Sequence, residues 1–272
     1  MRKVGFPGKV VSISARTYCF GGGQLPESVT SREQAAAVSI AMPAAVKVKG
    51  RAAVVSPYAR SGTKRLTDLT LSLLGLLISV PVWLLVSLAI VLEDGRPVVY
   101  VQTRMGRDGC IFPLFKFRSM VRDAEGMTGP VWASQDDPRV TRVGRLLRAT
   151  ALDELPQLVN ILLGHMSFVG PRPERPELVA RIVESCPEFT WRHAVRPGLT
   201  GPAQVFGHYE TDPVEKLVYD LGYIQKASFW WDIRLILRSF WITFTGRWQE
   251  RNGHLPGGPR LRPPAPPPSV SA

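Results

Sequence analysis

Apolar positions become continuous between Leu69 and Leu92, where no charged side chain occurs. A membrane-crossing helix needs about 20 such residues, so this run is long enough to span a bilayer. Pro81 stands near its middle, and basic residues flank both sides: Lys64 and Arg65 before it, Arg96, Arg104 and Arg107 after it. With both ends basic, the positive-inside rule gives little direction. Two arrangements stay open. One is a single span that tolerates its proline. The other is a helix broken at Pro81 that enters and leaves on one face. A buried helix of a soluble domain fits poorly, because the run is uniformly apolar.

Beyond this run the periodicity changes. "PVVYVQTRMG" and "CIFPLFKFRSM" read as two strands joined by a turn at Arg107, Asp108 and Gly109. In "RATALDELPQLVNILLG", Leu155, Leu158, Val159, Leu162 and Leu163 recur at helical spacing and Gly164 is a natural stop. Proline is tolerated only in a helix's first turn, so Pro156 places the helix start at Leu152–Glu154. Asp153 and Glu154 then sit at a helix N-terminus beside unpaired N–H groups. The plain reading makes Asp153 a cap and Glu154 a first-turn acid. Further helices are expected over "TRVGRLLRA", from about Glu177, and from Asp212–Pro213. "MSFVGPRP" reads as a proline-stiffened turn and "VRPGLTGPAQVFG" as loop with a short strand. In "SFWWDIRLILRSFWITFTGRW", aromatic bulk accompanies Arg234 and Arg238 four residues apart. That pattern suits a helix at the lipid interface or a core helix of the domain.

The expected fold class is α+β. Residues 1–62 form a basic, mostly disordered tail and 63–95 a membrane-embedded helix. Residues 96–246 form a mostly helical catalytic domain with a small β element and interfacial amphipathic helices. Residues 247–272 form a Pro-rich tail.

Charge sharpens this division. The formal net charge is +12, which invites a nucleic-acid partner. Residues 1–68, however, hold eleven Lys/Arg against three Asp/Glu, and residues 247–272 hold four against one. The middle is nearly neutral. An excess confined to the flanks of an apolar run fits anionic lipid, not nucleic acid. Cys19, Cys110 and Cys186 are scattered without metal-ligand spacing, which fits a reducing compartment.

Candidate chemistry gathers in the middle. Lys116 and Arg118 lie in "KFRSM"; Arg139, Arg142, Arg145 and Arg148 fall within ten residues; Arg172 sits between prolines in "GPRP"; Arg196 precedes "PGLTG". Guanidinium forks bind phosphate oxygens bidentately, so this is an inventory for a diphosphate. No Walker loop or dinucleotide fingerprint is present. Mg²⁺ binds through one or two carboxylates plus substrate phosphates, and Asp153 and Glu154 can supply them. A carboxylate can also attack phosphorus directly.

These segments, in order, resemble the bacterial sugar transferases, the monotopic phosphoglycosyl transferases. The matching pieces are "KRLTD", "QTRMGRDG", "FKFRSM", "DPRVTRVGRLLRATALDELPQLVNILLGHMSFVGPRP", "RPGLTGPAQVFG" and "YIQKASFWWDI". The resemblance implies transfer of a sugar-1-phosphate from a nucleoside diphosphate sugar, a UDP-sugar, to polyprenyl (undecaprenyl) phosphate, with Mg²⁺ and release of UMP. It implies Asp153 as nucleophile forming a phosphosugar intermediate, and Glu154 supporting Mg²⁺. Arg148 and Arg172 become phosphate binders, with Lys116, Arg118, Arg145 and Arg196 as further candidates. It also implies that Pro81 breaks a helix dipping into one leaflet, with the catalytic domain on the cytoplasmic face of the cell membrane. Membrane lipid is then a partner, and self-association is open. Val80, Ala151 and Pro202 stand where the family often has Ser, Ser and Leu. The competing reading from another class is a membrane-bound scaffold that kept the fold and lost turnover.

Overall fold

The computed structural model describes residues 55–124, 126, 137–207 and 213–245, apart from the Val214 side chain. The sequence-based expectations for residues 1–54 and 246–272, and most of the loop after Ala124, lie outside the described residues.

The chain begins as a 3₁₀ turn, Pro57–Arg60, and enters helix α1, Gly62–Asp94. Ser61 caps it by accepting the Lys64 N–H at 3.1 Å. Gly95, at φ 72°, ends it with a conformation that costs glycine nothing. Pro81 lies inside this helix of 33 residues, whose assignment runs on through it. An interior proline removes one hydrogen bond and its ring crowds the carbonyl one turn before it, which bends a helix without having to end it. Within residues 55–62, assigned to a tail from the sequence, Ser56 and Ala59 are buried. The Ser56 N–H donates to the Ile224 carbonyl at 2.8 Å and its hydroxyl to the Ala227 carbonyl at 2.7 Å.

Strands β1, Val99–Met105, and β2, Ile111–Phe117, form the expected antiparallel hairpin, with Tyr100 opposite Lys116. Helix α2 is Arg142–Ala149 and helix α3 is Gln157–Leu163. Strand β3, Ser167–Val169, pairs in parallel with β4, Gly198–Thr200. Helices α4, Pro176–Ser185, α5, Pro202–Phe206, α6, Pro213–Lys226, and α7, Phe229–Thr245, complete the described chain. The outcome is mostly helical with two small sheets. Three-residue strands such as β3 are too short for an alternating pattern to register.

Helix α3 lies between α1 and the hairpin. Leu158, Ile161 and Met166 pack with Phe112 and Leu114, and Leu76 of α1 closes that cluster. A second cluster joins Val86 and Ile90 of α1 to Phe117 and Leu147. The opposite face of α1 is bare: Ile78 and Leu92 are each 77% exposed, and it is the one helix among the described residues long and apolar enough to cross a membrane. Helix α7 has a buried face and an exposed aromatic one. Asp232, Leu235 and Ile242 are buried, while Trp230, Phe240, Trp241 and Phe244 face outward.

Candidate active site

The two adjacent acids do not open an α-helix. They lie on a 3₁₀ turn, Leu152–Glu154, and α3 starts three residues later with Pro156 at its N-cap position. The Glu154 and Leu155 N–H groups donate to the Ala151 and Leu152 carbonyls at 3.2 Å each. The free amides expected behind the acids are therefore partly engaged, and side-chain cations carry the electrostatics. Ala151 precedes the turn in the left-handed region, φ 55° and ψ 17°. That conformation costs a non-glycine residue about 1 kcal/mol. It reverses the chain between α2 and the acids, bringing Arg148 back toward Asp153.

Three elements converge on the pair. Lys116, at the end of β2, donates from Nζ to Glu154 Oε1 at 2.8 Å and stands 3.8 Å from Asp153 Oδ2. Arg172, in the loop after β3, donates to the same Glu154 oxygen at 2.7 Å. Arg148, in the last turn of α2, donates from Nε to Ser119 Oγ at 2.9 Å, and its charge acts on Asp153. The result separates two neighbouring carboxyl groups. Burial works to raise the Glu154 carboxyl, but Arg172 and Lys116 outweigh it and hold the group well below the ordinary carboxylate range. Burial pushes the Asp153 carboxyl up; Lys116 opposes the rise and Glu154 adds to it. Glu154 also raises the Arg172 guanidinium above its ordinary value. One acid is thus pinned by two cations, while its neighbour is buried with only a longer contact.

The structure does not bring every candidate to this pair. Arg118 turns away and donates to the Asp94 and Gly95 carbonyls at 2.9 and 2.7 Å. Arg145 is exposed on α2. Arg196 lies at the far end of α3, donating from Nε to the Gly164 carbonyl at 2.9 Å.

Several positioning residues had no functional signal in the sequence. Asn160, fully buried, accepts the Phe115 N–H at 2.9 Å and donates to the Pro113 carbonyl at 2.6 Å. It staples α3 to β2 and so sets Lys116 against the acids. A polar residue amid the apolar positions of a helix was its only mark. The Arg172 loop is held at three carbonyls. Pro171 accepts from the Gly198 N–H at 2.9 Å, Glu174 from the Met105 N–H at 2.9 Å, and Pro173 from Arg104 at 3.0 Å. Burial pulls the Arg104 guanidinium down to about 10, with Glu174, 3.8 Å away, opposing that.

Comparison with known proteins places the chain in a family. The family model described as bacterial sugar transferase matches residues 59–246. An undecaprenyl-phosphate glucose phosphotransferase of Komagataeibacter xylinus is 44% identical over 181 residues, 64% of this chain and 34% of that protein. A UDP-glucose:undecaprenyl-phosphate glucose-1-phosphate transferase of Escherichia coli (strain K12) is 42% identical over 192 residues, 68% of this chain and 40% of that protein. An exopolysaccharide production protein PSS of Rhizobium leguminosarum bv. phaseoli is 42% identical over 181 residues, 64% of this chain and 90% of that protein. The match therefore spans 34% and 40% of the first two relatives and nearly all of the third. A family match running from the turn before α1 to the end of α7, through the acid pair and its cations, makes this chain a member of the bacterial sugar transferase family.

Proposed function

We propose that the protein transfers a sugar-1-phosphate from a nucleoside diphosphate sugar, a UDP-hexose, to polyprenyl phosphate, releasing UMP. The observation that carries this reading is the unequal treatment of the two acids. Glu154 is locked by Lys116 and Arg172, and Asp153 is left beside them without a hydrogen bond from either cation. An Asp153 oxygen attacks the sugar-bearing phosphorus and forms a new P–O bond. The bond from that phosphorus to the UMP oxygen breaks, and UMP leaves with the electron pair. An oxygen of the lipid phosphate then attacks the same phosphorus, frees the carboxylate and gives polyprenyl-diphosphate-sugar. Lys116, Arg148 and Arg172 set positive charge where phosphoryl oxygens gain negative charge, which is where fixed charge lowers a barrier most. The relatives' names supply glucose and undecaprenyl phosphate for those proteins, and one names exopolysaccharide production. On this reading the chain starts a glycan of that kind.

The donor set at the pair is two carboxylates, all oxygen, which fits Mg²⁺. Among the described residues no group of three or more His, Cys, Asp or Glu could hold a metal. Asp153 and Glu154 would thus hold the ion together with substrate phosphates. When bound, it would supply Lewis-acid polarisation of the phosphoryl oxygens. Intact-mass spectrometry with UDP-hexose and no acceptor tests the proposal. One phosphosugar adduct per chain is expected in Mg²⁺ buffer, and none after chelation. Kinetics that demand both substrates bound at once, with no adduct at any time, would reject it.

The same domain grips both ends of α1, which supports a helix that enters and leaves on one face. At its start, Lys64 pairs with Asp232 at 2.6 Å and Arg65 donates to the Ile161 and Leu162 carbonyls at 2.6 and 2.8 Å. At its end, Glu93 accepts the Arg142 and Val143 N–H groups at 2.8 and 2.9 Å. A straight span would carry one of those ends, with its charged partners, to the far side. On this reading the domain lies on the cytoplasmic face. Single cysteines introduced before Gly62 and after Gly95 should react with an impermeant thiol reagent from the same side in sealed vesicles. Labelling from opposite sides would establish a span.

A further inference from the structure

Away from the acid pair, at the C-terminal end of α3, the β1–β2 turn closes over a cavity of about 110 Å³. Arg107, Phe112, Leu163, Gly164, His165 and Arg196 line it. A water needs only about 10–15 Å³ by this measure, so the space takes several waters or one phosphate-sized anion.

Its charge is one-sided. Arg196 donates from Nε to the Gly164 carbonyl at 2.9 Å and forms no ion pair among the described residues. Arg107 gives its Nε to Asp108 at 3.1 Å, an exposed contact on the same turn. The terminal nitrogens of both guanidinium groups have no hydrogen-bond partner among the described residues. Arg65 adds a third cation nearby. Burial first, then Arg107 and Arg65, draw the Arg196 guanidinium below its ordinary value, and Asp68 opposes them. The ordinary role of Arg65 and Arg196 is to satisfy the last carbonyls of α3, and both do so. Arg107 has no such task. Phe112 and His165, with ring centroids 5.6 Å apart, form a wall, and Leu163 at the rim is 58% exposed.

We infer that this cavity is a second anion site, in which Arg107 and Arg196 hold a phosphate group apart from the reacting centre. Ten residues of mostly helical chain separate Glu154 from Gly164, roughly 15 Å at 1.5 Å per residue. The two phosphates of one diphosphate share a bridging oxygen and cannot reach both places. The occupant is therefore a separate phosphate: the headgroup of a polyprenyl phosphate awaiting its turn, or a free phosphate ion. The lipid assignment rests on the transfer proposed above; the anion site does not.

The test is amide hydrogen exchange on the full-length Asp153→Asn chain in phosphatidylcholine nanodiscs, so that no turnover intervenes. The probes are inorganic phosphate and a short-chain polyprenyl phosphate. Slower exchange is expected in peptides spanning 106–112 and 163–165. Arg107→Gln should weaken the apparent affinity at those peptides by about tenfold, the scale of one lost charge-assisted hydrogen bond, and Arg107→Lys should recover part of it. Protection at 152–158 should be the same in all three, because that segment reports the acid pair. Arg107 is a surface residue of the turn, so these variants leave the core untouched. Protection by both probes assigns the cavity to the phosphate group itself, and protection by the lipid alone assigns it to the headgroup. No protection at either peptide, or the same affinity in Arg107→Gln, would overturn the site even if transfer at Asp153 stands.

Discussion

Asp153→Asn should lose sugar-phosphate transfer by on the order of 10⁴-fold or more, the scale on which enzymes lose turnover when a covalent nucleophile is removed. Asparagine keeps the shape of the side chain and removes only the anionic oxygen that attacks phosphorus. The fold should survive, because Asp153 is 6% exposed and its ionised form already resists burial. Replacing a charge whose burial outweighs the cations around it with a neutral amide removes a desolvation cost. The melting temperature of the variant at neutral pH is therefore expected to equal or exceed that of the wild type. Steady-state transfer and a melting curve on the same preparation check both halves. Near-normal transfer would end the assignment of Asp153 as nucleophile. Lost transfer with a collapsed melting curve would make the residue a structural one.

The second large effect is expected at a residue that touches no substrate. A Cβ on Gly198 would lie 2.1 Å from the Gly170 nitrogen and 2.4 Å from the Thr200 carbonyl oxygen. Both are backbone atoms, of the residue after β3 and of the last residue of β4, and cannot rotate aside like a flexible side chain. Gly198→Ala must therefore part the strands, at about 3 kcal/mol or more, the upper range of overpacking. The strain passes directly to the site. The Gly198 N–H holds the Pro171 carbonyl, and Arg172 follows in the chain. Denaturant melts and transfer assays on Gly198→Ala should show lower stability together with a loss of transfer of about 100-fold. Gly62→Ala is the control, since nothing lies within 4 Å of its added Cβ. Equal stability in the two variants would mean that the strands are less tightly apposed than their geometry indicates.

How much of this could be read beforehand varied with the distance between interacting residues. The hairpin, helices α2, α4 and α6 and the long apolar helix follow from periodicities that act within a few turns of chain. The start of α3 did not, although proline punctuates strongly. Pro156 is as comfortable at the N-cap as one turn inside, and the chain reversal before it rests on Ala151 in a left-handed conformation. Glycine or asparagine usually announces that conformation, and alanine does not. The arginines show the same limit. Arg118, Arg145, Arg148 and Arg196 look alike in the sequence, yet only Arg148 faces the acids.

The residue order determined that two adjacent acids follow a basic helix, that prolines bracket Arg172, and that an uncharged apolar run precedes them all, because each is a property of neighbours in the chain. The tertiary structure decided which cations meet which acid. Lys116 and Arg172 reach Glu154 from elements 38 and 18 residues away, across a helix that Asn160 staples to a strand. Charge interactions follow distance in space and the loss of water on burial, and neither quantity exists until the chain has folded.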